Sequence, residues 1–211
     1  MNAVIGLVLA ALALAPLPAR GFALETKTGV ELQTFSGRPI TTLGGLDLAP
    51  DEAVAHKLVL RDRRGRLFVL DRKGVRPTAA RRACRTTDVR LVVCAQTIRS
   101  GGRIVAHAPR GIGHWVWAER SPSGDAILAQ WSAECEVPIA YRIRKGVLTA
   151  YGSPESVALG WLPSGEALIH YPSGPCGGSQ VGRGIYAVPQ KGSPRLIRRT
   201  PRFAQYLMWG G

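Results

Sequence analysis

The sequence predicts an all-β protein, and three observations carry that expectation. Glycine and proline, 25 and 15 of the 211 residues, recur throughout and penalise helix interiors. No stretch of a dozen residues holds an apolar period near 3.6. The apolar runs that do occur are of strand length and end in Gly, Pro, Ser or Asp turn chemistry. They include Lys57-Leu-Val-Leu, Arg66-Leu-Phe-Val-Leu, Val89-Arg-Leu-Val-Val, Ala126-Ile-Leu-Ala and Gly184-Ile-Tyr-Ala-Val.

The amino-terminal segment is different in kind. Val4 to Ala15 is apolar without interruption, Pro16 and Pro18 then break it, and Gly21-Phe22-Ala23 offers small residues at the usual spacing. That layout predicts a secretory signal peptide over residues 1–23, cleaved after Ala23, with the amino terminus as the only positive charge ahead of the apolar run. The run of 12 residues is short of the roughly 20 that span a bilayer, and no later stretch is long enough. No cysteine follows closely enough for a lipid-anchored cleavage site. Residues 24–211 are then 188 residues, the size of one domain with its own core.

The second half repeats itself. Val116–Gln130 reads VWAERSPSGDAILAQ and Val157–Tyr171 reads VALGWLPSGEALIHY. Pro122 and Pro163 are 41 residues apart, as are Ser123 and Ser164, Gly124 and Gly165, and Cys135 and Cys176. An acid follows each turn, Asp125 or Glu166, and then an alanine and an aliphatic pair. Each copy reads as a strand, a Pro-Ser-Gly turn and a returning strand. A second hairpin follows in both, at Pro138-Ile-Ala-Tyr-Arg-Ile-Arg-Lys-Gly-Val-Leu-Thr and at Gly184-Ile-Tyr-Ala-Val-Pro-Gln-Lys-Gly-Ser-Pro-Arg-Leu-Ile. Four short strands in about 40 residues is the size of one propeller blade.

On these residues the chain resembles the TolB-like and WD40-like propeller repeats. Their blade has a Ser-Pro-Asp-Gly turn, an Ile-Tyr strand and a Gly-containing turn before a short last strand. Ser121-Pro122-Ser123-Gly124 and Leu162-Pro163-Ser164-Gly165 match the first turn, with Ser in place of its Asp, while Ile185-Tyr186 and Lys191-Gly192 match the later half. The resemblance covers residues 115–197. A fainter copy begins at Leu48-Ala-Pro-Asp and ends at Arg66-Leu-Phe-Val-Leu-Asp-Arg-Lys-Gly without the turn glycine, and residues 79–113 fit poorly. It implies a small or partial β-propeller of four to five four-stranded units, closed by pairing Val30-Glu-Leu-Gln-Thr-Phe with Phe203-Ala-Gln-Tyr-Leu-Met-Trp. Closure would remove exposed strand edges. A β-sandwich of the same hairpins is the alternative.

Four cysteines in an exported chain read as two disulfides, with three connectivities available. The repeat places Cys135 and Cys176 at equivalent positions of adjacent units, so a bridge between them staples neighbours. Cys84 and Cys94 then close a local loop of about ten residues, stabilising by about 2–3 kcal/mol in the chain-entropy model. No CxxC pair or other zinc-ligand spacing is present.

Charge gives the best indication of a partner. Residues 24–211 hold 27 Lys and Arg against 14 Asp and Glu. Residues 57–110 hold 15 basic residues and three acids, whereas residues 24–56 carry a net −3. Arg61, Arg63, Arg64 and Arg66 flank one turn, and Arg81, Arg82 and Arg85 flank another. Guanidinium forks hold phosphate, sulfate or carboxylate in bidentate fashion, so this lobe suits an acidic protein, a polyanion or an acidic envelope surface. A solvated strand face is the competing explanation. Nucleic acid is disfavoured by export and by the lack of stacking residues, since Phe68 is the only aromatic between residues 57 and 110.

Catalytic and metal signatures are missing. His56, His107, His114 and His170 include no HExxH, and no Gly-x-Ser-x-Gly elbow occurs. His107 and His114 sharing a loop, and Glu134 and Glu136 beside Cys135, are the nearest approaches to a metal or acid–base site; solvated turns account for both. Pro175-Cys-Gly-Gly-Ser-Gln-Val-Gly-Arg-Gly lacks the Lys-Ser/Thr ending of a P-loop. Trp115, Trp117, Trp131, Trp161 and Trp209 read as packing residues, with stacking on a sugar as the alternative. No cofactor or metal is expected. The sequence therefore predicts an exported, secreted or periplasmic, non-catalytic binding protein with an acidic partner. A propeller-type hydrolase or lyase acting on an anionic or glycan substrate is the second reading.

Overall fold

Strands that alternate side chains between two faces build a core on one face, or on both when each face meets another sheet. This chain does the second. The computed structural model describes residues 17–18, 20–49, 58–71, 74–79, 84–88, 90–133, 138–151, 155–172, 182–201 and 206–209, which contain strands and turns and no helix. The strands in chain order are β1 (Gly21–Thr26), β2 (Gly29–Thr34), β3 (Pro39–Gly44), β4 (Leu46–Leu48), β5 (Leu58–Asp62), β6 (Leu67–Asp71), β7 (Gly74–Thr78) and β8 (Cys84–Asp88). They continue with β9 (Leu91–Cys94), β10 (Thr97–Ser100), β11 (Arg103–His107), β12 (Gly113–Arg120), β13 (Ile127–Ala133) and β14 (Pro138–Arg144). The last six are β15 (Val147–Ala150), β16 (Val157–Trp161), β17 (Ala167–Tyr171), β18 (Gly184–Val188), β19 (Arg195–Arg198) and β20 (Tyr206–Trp209).

These strands form five four-stranded antiparallel sheets. Four are simple meanders in chain order: β4 to β7, β8 to β11, β12 to β15, and β16 to β19. The remaining sheet runs β20-β1-β2-β3, so it contains both a strand from the amino-terminal end and the last strand. The register pairs Gly21 with Trp209, Phe22 with Met208, Ala23 with Leu207 and Leu24 with Tyr206. This corrects the expected closing pair: β20 joins Gly21–Thr26, while Val30 lies on β2, between β1 and β3. It also places the expected cleavage point, after Ala23, inside β1. Residues 79–113, which fit the repeat poorly, nevertheless supply the whole β8–β11 sheet.

Alternation along the middle strands sends successive side chains to different neighbours. On β1, Ala23 joins a core with Val30 and Leu32 of its own sheet and Leu58, Leu60, Phe68 and Leu70 of the β4–β7 sheet, while Phe22 and Leu24 turn the other way, to Leu159, Leu168 and Ile185. On β17, Ile169 and Tyr171 face Leu128, Ala140 and Tyr151 of the β12–β15 sheet, while Leu168 faces Phe22. On β13, Ile127, Ala129 and Trp131 pack with Leu91, Val93 and Ile98 of the β8–β11 sheet, while Leu128 faces the β16–β19 sheet. The shared cores thus stack the sheets in the series β4–β7, β20–β3, β16–β19, β12–β15, β8–β11. Full burial of each large aliphatic side chain contributes about 1.5–3 kcal/mol, and Phe22, Leu32, Leu58, Leu60, Leu128, Leu168 and Ile169 are all essentially inaccessible.

The paired turns of the repeat have the same geometry. Gly124 donates its amide to Ser121 O at 2.8 Å and Gly165 to Leu162 O at 2.9 Å, with φ of +76° and +83°. Only glycine adopts that conformation without strain, which is why each Pro-Ser turn ends on it. Ser123 and Ser164 each donate a hydroxyl to the acid two residues on, Asp125 or Glu166. Three of the five tryptophans expected to pack are buried: Trp115 meets Trp131 edge-on at 5.1 Å and Tyr141 at 5.7 Å, and Trp161 donates to Glu119 O at 3.1 Å, while Trp117 is half-buried and the Trp209 side chain lies outside the described residues. Cys84 and Cys94 face each other across β8 and β9 with their sulfurs bonded at 2.00 Å. Cys135 and Cys176 lie outside the described residues.

His170 sits in the wall between the β16–β19 and β20–β3 sheets. It is 1% exposed, with Nε2 3.3 Å from Thr200 Oγ1. Burial, and then the nearby Arg198 guanidinium that stacks 5.2 Å over Phe22, push its pKa down to about 3 from 6.5. Between those values the unfolded chain takes up a proton that the folded chain refuses, so this contribution is complete above pH 6.5 and is lost as pH falls. Wild-type stability, measured by urea unfolding, should therefore drop by about 1.4 kcal/mol per pH unit through the range 6 to 4 from this residue alone. The His170→Gln variant should show a shallower slope by that amount; identical slopes would remove His170 from the account.

Candidate functional site

The basic lobe is organised by one carboxylate. Asp62 ends β5, and its amide donates to Arg66 O at 3.0 Å while Gly65 donates to Asp62 O at 2.9 Å, closing the hairpin into β6. Asp62 Oδ1 accepts the amides of Arg64 and Arg66, both at 2.9 Å. Its Oδ2 accepts Nε and Nη2 of Arg66, both at 2.8 Å. The Arg66 guanidinium also lies 5.9 Å from the Phe68 ring centroid. Partial burial alone would raise the Asp62 pKa, but the donated bonds from the Arg66 amide, the Arg66 guanidinium and the Arg64 amide outweigh it and hold the carboxyl below its ordinary value.

This wiring sorts the arginines expected to bind an anion. Arg66 is spent on the turn. Arg61 is half-buried on β5, in register with Asp47 of β4, and Arg76 is paired with Asp71. Arg63 and Arg64 are left exposed at the tip, held side by side by a backbone that Asp62 fixes. The structure therefore gathers Arg61, Arg63, Arg64 and Arg66 on one hairpin and exposes the last three, of which Arg66 is tied to Asp62. Arg85 contributes its backbone to β8, and Arg81 and Arg82 lie outside the described residues.

A second feature escaped the sequence. A cleft of about 410 Å³ opens between β11 and the β12–β15 sheet, lined by Ile104, Val105, Arg120, Asp125, Ile127 and Lys145 among others. Arg120 reaches across it to the Ser100 hydroxyl. Asp125 is fully engaged: Ser123 and Ser121 donate to it, Gln190 approaches at 3.4 Å and Arg144 at 3.2 Å. The serine bonds, first that from Ser123, lower its pKa against a small opposing effect of burial, and Arg144 adds to the lowering. It holds a turn and is a poor proton acceptor. The lining thus combines aliphatic walls with Arg120, Lys145 and the engaged Asp125 carboxylate. The only advance signal was the Lys145-Gly146 turn, which is indistinguishable in sequence from any other hairpin tip.

The remaining expected side chains do not converge. His107 is exposed on β11 and His114 half-buried on β12, in different sheets rather than on one loop. Among the described residues no three His, Cys, Asp or Glu side chains group as a metal site. His56, Glu134, Glu136 and the Pro175–Val181 segment lie outside the described residues. Trp115, Trp131 and Trp161 are buried, which leaves their ring faces to the core rather than to a sugar. No helix among the described residues is long and apolar enough to cross a membrane. No protein-family model matches the chain, and no curated protein matches it in sequence.

If Asp62 holds the tip as a charged acceptor, the amide protons of Arg64 and Arg66 should report its titration. Their NMR shifts should move with an apparent pKa below the ordinary aspartate value of 3.8, and the Asp62→Asn variant should abolish the transition and speed exchange of both amides. A transition at or above 3.8 would mean that the carboxylate does not organise the turn.

Proposed function

We propose that this chain is an exported, non-catalytic β-propeller-like protein that binds an acidic partner through the Arg63–Arg64 tip. Three features support the propeller. Four sheets run in simple chain order, the cores stack the five sheets in one series, and the last strand completes the sheet that β1 begins. Packing the β4–β7 sheet against the β8–β11 sheet would close that series into a five-bladed ring. Export is supported by the apolar amino-terminal run and by the Cys84–Cys94 bond, a linkage that persists in oxidising compartments.

The single observation that carries the binding reading is the division of labour at Asp62. A turn that spends one carboxylate and one arginine on fixing its backbone presents two further guanidiniums from a main chain already held in place. Binding there has side-chain but little main-chain freedom to remove, and the surrounding excess of positive charge steers an acidic surface toward the tip.

The test is retention on immobilised poly-glutamate across a salt gradient, comparing the wild type with an Arg63→Ser/Arg64→Ser variant. Two exposed charge contacts are worth about 0.5–1 kcal/mol each, so together they should weaken binding about tenfold and lower the eluting salt, with the urea midpoint unchanged. Equal elution of the two proteins would make the tip a solvated surface. An Arg66→Ser variant should instead disturb the turn, because its partner is internal.

A further inference from the structure

We propose that the leader is removed ahead of β1, at the Ala19–Arg20 bond, so that the mature protein begins at Arg20. This inference rests on the export reading and specifies where processing occurs. The small-residue pattern Gly21-Phe22-Ala23 directs cleavage four residues later, after Ala23, and the structure buries Gly21, Phe22 and Ala23 inside the protein. Phe22 and Ala23 are both inaccessible. They belong to different cores, Phe22 between the β20–β3 and β16–β19 sheets and Ala23 between the β20–β3 and β4–β7 sheets. Phe22 also stacks on Phe35 at 5.1 Å and under the Arg198 guanidinium at 5.2 Å.

Loss of Gly21, Phe22 and Ala23 would remove three of the four residue pairs that join β1 to β20. The carboxy-terminal strand would then have a single residue of its partner left, and two cores would each lose a fully buried side chain. Arg20 also makes a contact worth keeping, with Nη1 donating to Trp161 O on β16 at 3.2 Å. Leu17 marks the other side of the boundary. It lies only partly buried against the Ala23 core, and Pro18 is exposed, so loss of these two residues removes no fully buried side chain.

The chemistry of the scissile bond points to the same place. A leader peptidase accepts a small side chain at the cleaved position, and Ala19 is the last small residue ahead of β1, with Leu17 in place of a small residue two positions before it. The preceding one, Ala15, is followed by Pro16, whose ring removes the amide N–H and restricts the residue before it. Hydrolysis adds one water across the Ala19–Arg20 amide and leaves an Ala19 carboxylate and an Arg20 α-ammonium.

Expression of the full chain in an exporting bacterial host, followed by intact mass and amino-terminal sequencing of the folded product, tests this. A start at Arg20 is expected. A start at Phe22 or Leu24 in folded, exported protein would overturn the proposed bond while leaving export intact. Retention of Met1 would overturn both. As a second measure, leaderless chains beginning at Arg20 and at Leu24 should differ, with the shorter one unfolding at clearly lower urea; equal midpoints would show that Gly21–Ala23 are dispensable and would also overturn the proposal.

Discussion

The pairing of β20 with β1 is the contact on which the remaining architecture leans. Every other sheet is a local meander whose strands follow one another directly in the chain. Such hairpins form early and cost little loop-closure entropy. The β20–β3 sheet alone joins strands far apart in the chain, and it is the second of the five stacked sheets, with the β4–β7 sheet on one face and the β16–β19 sheet on the other. Without its fourth strand β1 would become an edge, with open amides and carbonyls ready to pair with another chain.

Packing on both faces explains the character of the strands. Strands of an open antiparallel sheet alternate apolar and polar residues, but β17 reads Ala-Leu-Ile-His-Tyr and is buried at every position. The alternation is still present, expressed as a choice between two neighbours rather than between core and water. It also explains why a buried histidine is tolerated at position 170: no face of that strand is wet, and a neutral imidazole with one hydroxyl neighbour is the cheapest way to keep a polar ring there. Exposed charges stand at hairpin tips and outer strands, at Arg63, Arg64, Lys145 and Arg195, while Arg61 and Arg120 on β5 and β12 are half-buried.

Much of this was readable from the residues alone. The Pro-Ser-Gly turns at Gly124 and Gly165, the hairpins after Pro138 and Gly184, and the partnership of Cys84 with Cys94 all follow from local chemistry, and local chemistry is what a sequence displays most directly. The β8–β11 sheet was obscured because its strands are four or five residues long and rich in Arg and Thr. The closing strand was obscured for a sharper reason. Gly-Phe-Ala reads as a processing signal in the sequence, and in the structure it is the start of a buried strand that pairs with β20. The basic lobe was overcounted in a similar way: Asp62 lies four residues before Arg66, a spacing that a tight turn converts into an ion pair but that charge counting treats as one acid among many bases.

The most direct test of this account is the urea unfolding of a chain ended at Pro201, which lacks β20 and leaves the other strands in place. If closure of the β20–β3 sheet by the carboxy-terminal strand holds the stack together, the midpoint should fall well below that of the full chain and the truncated protein should self-associate through the exposed β1 edge. An unchanged midpoint and a monomeric truncated protein would contradict it, and would mean that the shared cores suffice without the chain's ends being joined.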